Sequence, residues 1–168
     1  LDGGAVGNEM GCSVSLSHDG NTLAVGERYY SGGSLTYNGS VSIYVLTDEQ
    51  YTIRHQIFGN KASGYFGTSV SLSSTGNMVA IGALDYYGNG YVEVYDLTST
   101  EYTLNGERIS YNGQHSQYSQ FGYSVSLADD GKTLAIGSNY YSVSSYEGAV
   151  LIYRKEADNW NLMFSDFG

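Results

Sequence analysis

The 168-residue sequence contains no proline, a single cysteine and only seven lysines and arginines against 17 aspartates and glutamates. The lone Cys12 excludes an internal disulfide framework and any zinc site built on several thiolates. A formal charge of −10 leaves no cationic surface for phosphate backbones or anionic lipids, which argues against nucleic-acid binding and membrane attachment. No apolar run approaches the roughly 18 residues that span a bilayer, so no membrane insertion is expected. The sequence opens on Leu1 without a signal-peptide pattern and reads as a mature or excised segment. What it has in abundance is Gly (23) and Tyr (18). Such usage is familiar in secreted, extended or β-rich proteins.

Internal repetition organises the rest. Ser13-Val14-Ser15-Leu16, Ser69-Val70-Ser71-Leu72 and Ser124-Val125-Ser126-Leu127 are one tetrapeptide, spaced 56 and 55 residues apart. Each is followed by a polar turn and an apolar run closing on Gly: Leu23-Ala24-Val25-Gly26, Val79-Ala80-Ile81-Gly82 and Leu134-Ala135-Ile136-Gly137. A third segment recurs as Gly39–Tyr44, Gly90–Tyr95 and Gly148–Tyr153, and a fourth opens with Tyr51, Tyr102 or Trp160. These pieces are too short for helices, rich in Val, Ile and Tyr, and separated by Gly, Asn, Asp and Ser, so they read as strands. In the first, Val14 and Leu16 share one face and Ser13 and Ser15 the other, which predicts a half-buried strand. The second is apolar throughout, as a strand covered on both faces should be.

The expected fold is therefore all-β, with tandem four-stranded antiparallel units of about 55 residues, the pattern of β-propeller blades. Repeat 1 spans residues 1–56, with strands near 12–17, 22–27, 39–46 and 51–58. Repeat 2 spans 57–108, with strands near 68–73, 78–83, 90–97 and 102–109. Repeat 3 spans 109–168, with strands near 123–128, 133–138, 148–154 and 160–164. The turns within strand pairs one–two and three–four have fixed lengths, whereas the two–three and four–one connections vary. In an up-and-down meander those variable connections emerge together, giving one structural edge and one elaborated edge. Three blades do not close a ring, and an uncovered outer blade exposes an apolar face. A longer array or completion by neighbouring chains is expected, and Phe167-Gly168 resembles the Phe66-Gly67 and Phe121-Gly122 pairs that open a repeat.

Phe121-Gly122-Tyr123-Ser124-Val125-Ser126-Leu127, then Asp130-Gly131, then Leu134–Gly137, then Gly148-Ala149-Val150 and Tyr153, resembles an FG-GAP repeat, three times over and across essentially the whole chain. That resemblance implies integrin α-like propeller blades and a role in adhesion or ligand binding outside the cell. Two features depart from the family pattern. The "GAP" positions read Gly26-Glu27, Gly82-Ala83 and Gly137-Ser138 without proline, as in a divergent, proline-free type. The loops that hold calcium in integrin-type repeats read Ser17–Thr22, Ser73–Met78 and Ala128–Thr133, with no carboxylate in the middle one, whereas calcium takes six to eight oxygens. A hairpin with Gly at positive φ is the favoured reading, so no cofactor or metal is expected, calcium being the weakly supported exception.

No catalytic constellation is legible. His18, His55 and His115 have no partners at ligand or triad spacing, and the pairs Asp48-Glu49 and Asp129-Asp130 sit in predicted turns. An enzyme is not expected. Cys12 reads as a buried thiol, with a link to another chain as the alternative. Recurring pairs Tyr29-Tyr30, Tyr86-Tyr87 and Tyr140-Tyr141 fall on the variable edge, with Tyr37, Tyr65, Tyr118 and Tyr146 in the same loops. They either pack between blades or stack on a ligand such as a sugar ring or protein partner. Asn38-Gly39-Ser40 is the one N-glycosylation sequon and supports secretion. The functional expectation is an extracellular or cell-surface module for adhesion or recognition of protein or glycan. Its rivals are a structural subunit of a filament or surface layer built from further copies of itself, and an accessory propeller of a larger secreted enzyme.

Overall fold

A computed structural model describes residues 7–87, 89–111, 120–139 and 148–167. All regular elements among them are strands. The first sheet comprises β1 (Met10–Leu16), β2 (Thr22–Glu27), β3 (Ser40–Thr47) and β4 (Gln50–Phe58). The second comprises β5 (Phe66–Leu72), β6 (Met78–Ala83), β7 (Tyr91–Leu97) and β8 (Tyr102–Leu104). The third comprises β9 (Phe121–Leu127), β10 (Thr133–Ser138), β11 (Ala149–Glu156) and β12 (Asn159–Phe167). Each sheet is a meander in chain order, antiparallel throughout. The sheets stack face to face, and the first strands β1, β5 and β9 lie against one another.

Two apolar layers hold the stack. Ala24, Val41, Ile43 and Ile57 of the first sheet meet Phe66, Val70, Leu72, Val79, Ile81 and Tyr91 of the second. Ala80, Val92, Val94 and Ile109 of the second sheet meet Phe121, Leu134, Ile136, Leu151 and Tyr153 of the third. Alternation along β6 explains this directly: Val79 and Ile81 point to one neighbour, Ala80 and Gly82 to the other. Full burial of such Val, Ile, Leu or Phe side chains contributes about 1.5–3 kcal/mol apiece, the main force joining blades.

The Ser-Val-Ser-Leu strands behave differently from the half-buried strand expected. Their serines face the next blade: Ser13 Oγ donates to Gly67 O at 2.8 Å and Ser69 Oγ to Gly122 O at 2.7 Å. Ser15 and Ser71 Oγ accept from the Leu72 and Leu127 backbone N–H groups at 3.0 and 2.9 Å. The Val/Leu face is covered only where a preceding blade exists, so Val70 and Leu72 are buried while Val14 and Leu16 are 62% and 57% exposed.

Each first strand begins two residues earlier than expected because its Phe-Gly or Met-Gly pair forms a β-bulge. The register skips from Met10↔Glu27 to Ser13↔Gly26, and from Phe66↔Ala83 to Ser69↔Gly82. Gly11, Gly67 and Gly122 sit in the bulges at φ +87°, +88° and +88°, where a side chain would be strained. The pair also hooks onto the previous sheet through parallel bridges Gly39↔Phe66 and Gly90↔Phe121.

Three further expectations are corrected. β4 ends at Phe58, so the first sheet runs past the division placed at residue 56. β8 stops at Leu104 instead of reaching 109; the chain swings out at Gly106 (φ +86°) and rejoins β7 only at Ile109, which exchanges backbone hydrogen bonds with Val92 at 2.9 Å. Phe167 pairs with Ala149 as Phe58 pairs with Ser40. It is therefore the end of a fourth strand, equivalent to Phe58 and not to the repeat-opening Phe66.

Candidate functional site

The β2–β3 and β4–β5 connections emerge on one edge, and on that edge five tyrosines from three loops meet. Tyr29 lies 5.5 Å, centroid to centroid, from both Tyr37 and Tyr65, edge to face. Tyr37 stacks on Tyr65 at 6.2 Å, Tyr65 meets Tyr86 at 6.3 Å, and Tyr86 meets Tyr87 at 5.1 Å. Arg28 covers Tyr29 at 4.9 Å and pairs with Glu9 at 2.7 Å. Edge-to-face and offset contacts of this kind are the favoured geometries for aromatic rings.

Backbone hydrogen bonds lace the three loops into one platform. Ser63 and Tyr65 N–H donate to Thr36 and Tyr37 O at 2.8 and 3.1 Å, while Asp85 and Tyr86 N–H donate to Gly64 and Ser63 O at 3.0 and 2.9 Å. Tyr65 adopts φ +51°, but Glu9 and Gln120 at the equivalent positions do so too, so that conformation belongs to the fold. The rings nearest the blades are half-buried, whereas Tyr86 and Tyr87 are 62% and 77% exposed. Burial, with the neighbouring tyrosines, pushes the Tyr65 hydroxyl pKa up.

The sequence left packing and ligand contact open for the tyrosine pairs, and the structure divides them. Tyr30 packs on Phe58 at 5.3 Å and against Gly32, away from the cluster. Tyr29, Tyr86 and Tyr87 join it. Tyr140 and Tyr141, with His115, Tyr118 and Tyr146, lie outside the described residues.

Charged groups border the same loops. Lys61 Nζ meets Asp85 Oδ2 at 2.6 Å, and the other oxygen, Asp85 Oδ1, is buried without a hydrogen-bond partner among the described residues. Glu93, in mid-strand, accepts from Arg108 Nε at 2.8 Å and from the Tyr95 hydroxyl at 2.7 Å. Arg108 also lies 3.9 Å from the Tyr91 ring centroid and donates to Asn60 Oδ1. Burial, then the Glu93 charge, raises the Tyr91 pKa to about 12 and lifts that of Tyr95 as well. Burial works against the Arg108 cation, but the Glu93 hydrogen bond and charge outweigh it and its pKa stands raised. Sequence reasoning missed this cluster; the signal was Glu93 set between Tyr91 and Tyr95 on one face of β7, with Val92 and Val94 on the other.

The sequon residue Asn38 is turned inward. Its side chain is 2% exposed, its Oδ1 accepts from Gly32 N–H at 3.0 Å, and its Nδ2 donates to Gly59 O at 2.8 Å. Cys12 is exposed, not buried, although its Sγ lies 3.5 Å from both Gly26 O and Gly67 O, and desolvation pushes the thiol pKa up. His55 is a structural residue, its Nε2 2.8 Å from Thr98 O in the next blade and its ring edge-on to Tyr102. In the first turn Asp19 caps the loop, accepting from Ser17 Oγ at 2.6 Å and from Asn21 N and Nδ2 at 2.9 and 2.7 Å, which lowers its pKa. Among the described residues no three of His, Cys, Asp and Glu converge as metal ligands.

No protein-family model matches the sequence, and no curated protein does either. Solved structures match its shape. TolB from Acinetobacter baumannii is 17% identical with a TM-score of 0.53, over 93% of this chain and 32% of that one. The periplasmic gluconolactonase PpgL of Pseudomonas aeruginosa is 12% identical with a TM-score of 0.55, over 91% and 56%. The nidogen/laminin complex matches at 8% identity and a TM-score of 0.52, over 92% and 48%. The chain thus spans between about a third and just over half of each of these three chains. At such identities the likeness carries the fold alone: the chain is three consecutive four-stranded blades of a partial β-propeller.

Proposed function

We propose that the chain is a non-catalytic recognition module, displayed outside the cell or on its surface, whose tyrosine edge binds a glycan or protein ligand. The observation that carries this reading is the continuous array of Tyr29, Tyr37, Tyr65, Tyr86 and Tyr87, built from loops of two blades and ending in two rings that lie open to solvent. Tyrosine presents large apolar area with a hydroxyl tip at low entropic cost, the chemistry of adaptable recognition surfaces. The neighbouring cations are occupied by acids (Lys61 by Asp85, Arg108 by Glu93), which suits a binding surface better than an acid–base pair held ready for catalysis. The Phe-Gly bulges and Ser-Val-Ser-Leu strands favour kinship with FG-GAP repeats, and the function expected there is of the same kind. No cofactor enters this reading. Replacing Tyr86 and Tyr87 with Ser leaves a folded chain, because neither ring is buried, and lowers ligand binding on a glycan array or in surface pull-down at least tenfold. Undiminished binding by that double variant would remove the tyrosine edge from the function.

A second reading, a structural subunit that stacks with further copies, is favoured by the outer faces. Val150 is 50% exposed on the third sheet although its equivalents Val41 and Val92 are fully buried, and Val14 and Leu16 are bare on the first. They are the same kinds of face that meet at the two internal interfaces. Sedimentation separates the readings: assembly that rises with concentration and is abolished by Val14→Asp supports stacking, and a monomer at all concentrations excludes it.

A further inference from the structure

The shortened β8 creates a second feature, on a different part of the molecule. In the first and third sheets the last strand follows its neighbour for nine residues. In the second, the strand ends after three; Asn105 N–H still donates to Val94 O at 2.7 Å, and residues 106–108 then bow away from β7 before Ile109 rejoins it. Between that bow and the third sheet lies an open cleft of about 590 Å³, lined among others by Glu107, Ile109, Ser110, Asn159, Trp160 and Asn161. This volume falls within the range of about 300–1,000 Å³ typical of small-molecule sites.

Its walls are preorganised. Trp160 Nε1 donates to Asn105 O at 3.0 Å, and Lys155 Nζ stands 5.8 Å from the indole, so the ring is held in one orientation. Asn105 is itself fixed, its Nδ2 donating to both Asp96 oxygens at 2.9 and 2.8 Å. Asn161 Nδ2 donates to Glu156 Oε2 at 3.1 Å. The rim residues Glu107, Ser110, Asn159 and Asn161 are exposed, while Tyr153 and Ile109 are buried in the floor. The chemistry is polar: amides, a hydroxyl and a carboxylate line the cleft, and the Trp160 ring, most of it packed away, borders it. The Arg108 charge is taken up by Glu93. A partner for such a cleft carries closely spaced hydroxyls that both donate and accept, and no negative charge to meet Glu107. A pyranose ring has these properties, whereas an apolar ligand or a phosphate does not.

We propose that the cleft between the second and third blades, bordered by Trp160 and rimmed by Glu107, Asn159 and Asn161, is a saccharide-binding site separate from the tyrosine edge. Trp160 is the one tryptophan in the chain, so its fluorescence reports this cleft alone. Cellobiose, maltose and N,N′-diacetylchitobiose are titrated separately into the intact chain up to about 10 mM, enough to nearly saturate a site with a Kd of about 1 mM. The expected result is a saturable change in Trp160 emission with at least one disaccharide. Asn161→Ala and Glu107→Ala, both on the exposed rim, weaken it about tenfold with circular dichroism unchanged, because each removes a hydrogen bond to the sugar. The Tyr86→Ser/Tyr87→Ser variant binds in the cleft as the parent does, even if it has lost its ligand at the tyrosine edge. Silence with all three sugars, indifference to both rim variants, or loss of the signal in the tyrosine variant would each overturn the proposal.

Discussion

Gly82 and Gly137 close the same tripeptide, Ala-Ile-Gly, at the same point of adjacent blades, yet alanine should be tolerated at only one of them. A Cβ on Gly82 would lie 2.1 Å from the Gly122 carbonyl oxygen and 2.3 Å from Ser69 Oγ. The first neighbour is backbone of the next blade, about 1.3 Å inside the 3.4 Å at which ordinary contact begins. Relief requires parting the second and third sheets, and a gap of about 0.5–1 Å already forfeits a quarter to a half of each dispersion contact across the layer. It also breaks the Ser69–Gly122 hydrogen bond, worth about 1 kcal/mol. With overpacking strain of about 1–3 kcal/mol added, Gly82→Ala should cost about 3 kcal/mol or more.

At Gly137, among the described residues, the Cβ is crowded by Ser124 Oγ alone, at 2.3 Å, a side-chain atom that turns away about one torsion, while Ser124 Cβ and O stand at ordinary contact distance. Neither glycine holds a positive φ, so backbone strain does not confound the pair. Gly137→Ala should therefore cost under about 1 kcal/mol, offset in part by the reduced freedom of the unfolded chain. In urea, with m of about 2 kcal/mol/M, the two midpoints should differ by about 1 M or more. Trp160 emission follows the boundary of the second and third blades and circular dichroism the whole, so a loss confined to that boundary would show as two non-coincident transitions. Equal destabilisation by both alanines would refute the close-approach reasoning, since among the described residues what distinguishes the sites is the blade that covers one of them.

Ser69→Ala should destabilise by about 1 kcal/mol in the same urea assay, because it removes the buried bond to Gly122 O, while Ser124→Ala, at the equivalent exposed position, should be nearly silent. Alkaline pH should unfold the protein. The Tyr91 and Tyr153 hydroxyls, raised by burial to about 12 against an ordinary value near 10, keep their protons longer in the folded chain than in the unfolded one. Their stabilisation is thus full below pH 10 and declines from pH 10 to 12 as the unfolded state ionises first. Tyrosinate absorbance rising well below pH 10 for these buried groups, with the fold intact, would contradict this.

Much of the architecture is legible in the repeat because the strand code is local. Val, Ile and Tyr runs between Gly and Asx turns place eleven strands within a few residues of their observed ends, and constant against variable spacing separates a plain edge from an elaborated one. The exceptions have physical causes. β8 fails because Asn105 spends its side chain on Asp96 and Gly106 turns the chain outward, a tertiary choice that β-propensity does not encode. Asn38 reads as a sequon by its three letters, and the same amide closes the loop between Gly32 and Gly59, a tertiary role that the triplet does not announce. Cys12 reads as a buried thiol, but it occupies a bulge position whose equivalents are Thr68 and half-exposed Tyr123, so the site is tolerant and open.

The candidate site was only half legible for a reason that lies in the geometry of stacking. One tetrapeptide, Ser-Val-Ser-Leu, is written three times, yet its valine is 62% exposed in β1 and 8% in β5. Burial is a property of the neighbouring blade and not of the letters. The same holds for the tyrosines. Tyr65 lies in the connection between two sheets, Tyr29 and Tyr37 belong to the loop before it, and Tyr86 and Tyr87 to the loop after, so no single repeat contains the array. A repeat scan finds the pairs because they recur, but recurrence argues for packing, and Tyr30 bears that out against Phe58. The array departs from recurrence at Tyr65, whose equivalents are Glu9 and Gln120 and which joins two pairs across a blade boundary. Recognition on a stacked fold is accordingly sought where one unit's loops meet the next unit's. There, selection on rings is free of the constraint that holds each blade's core to one pattern.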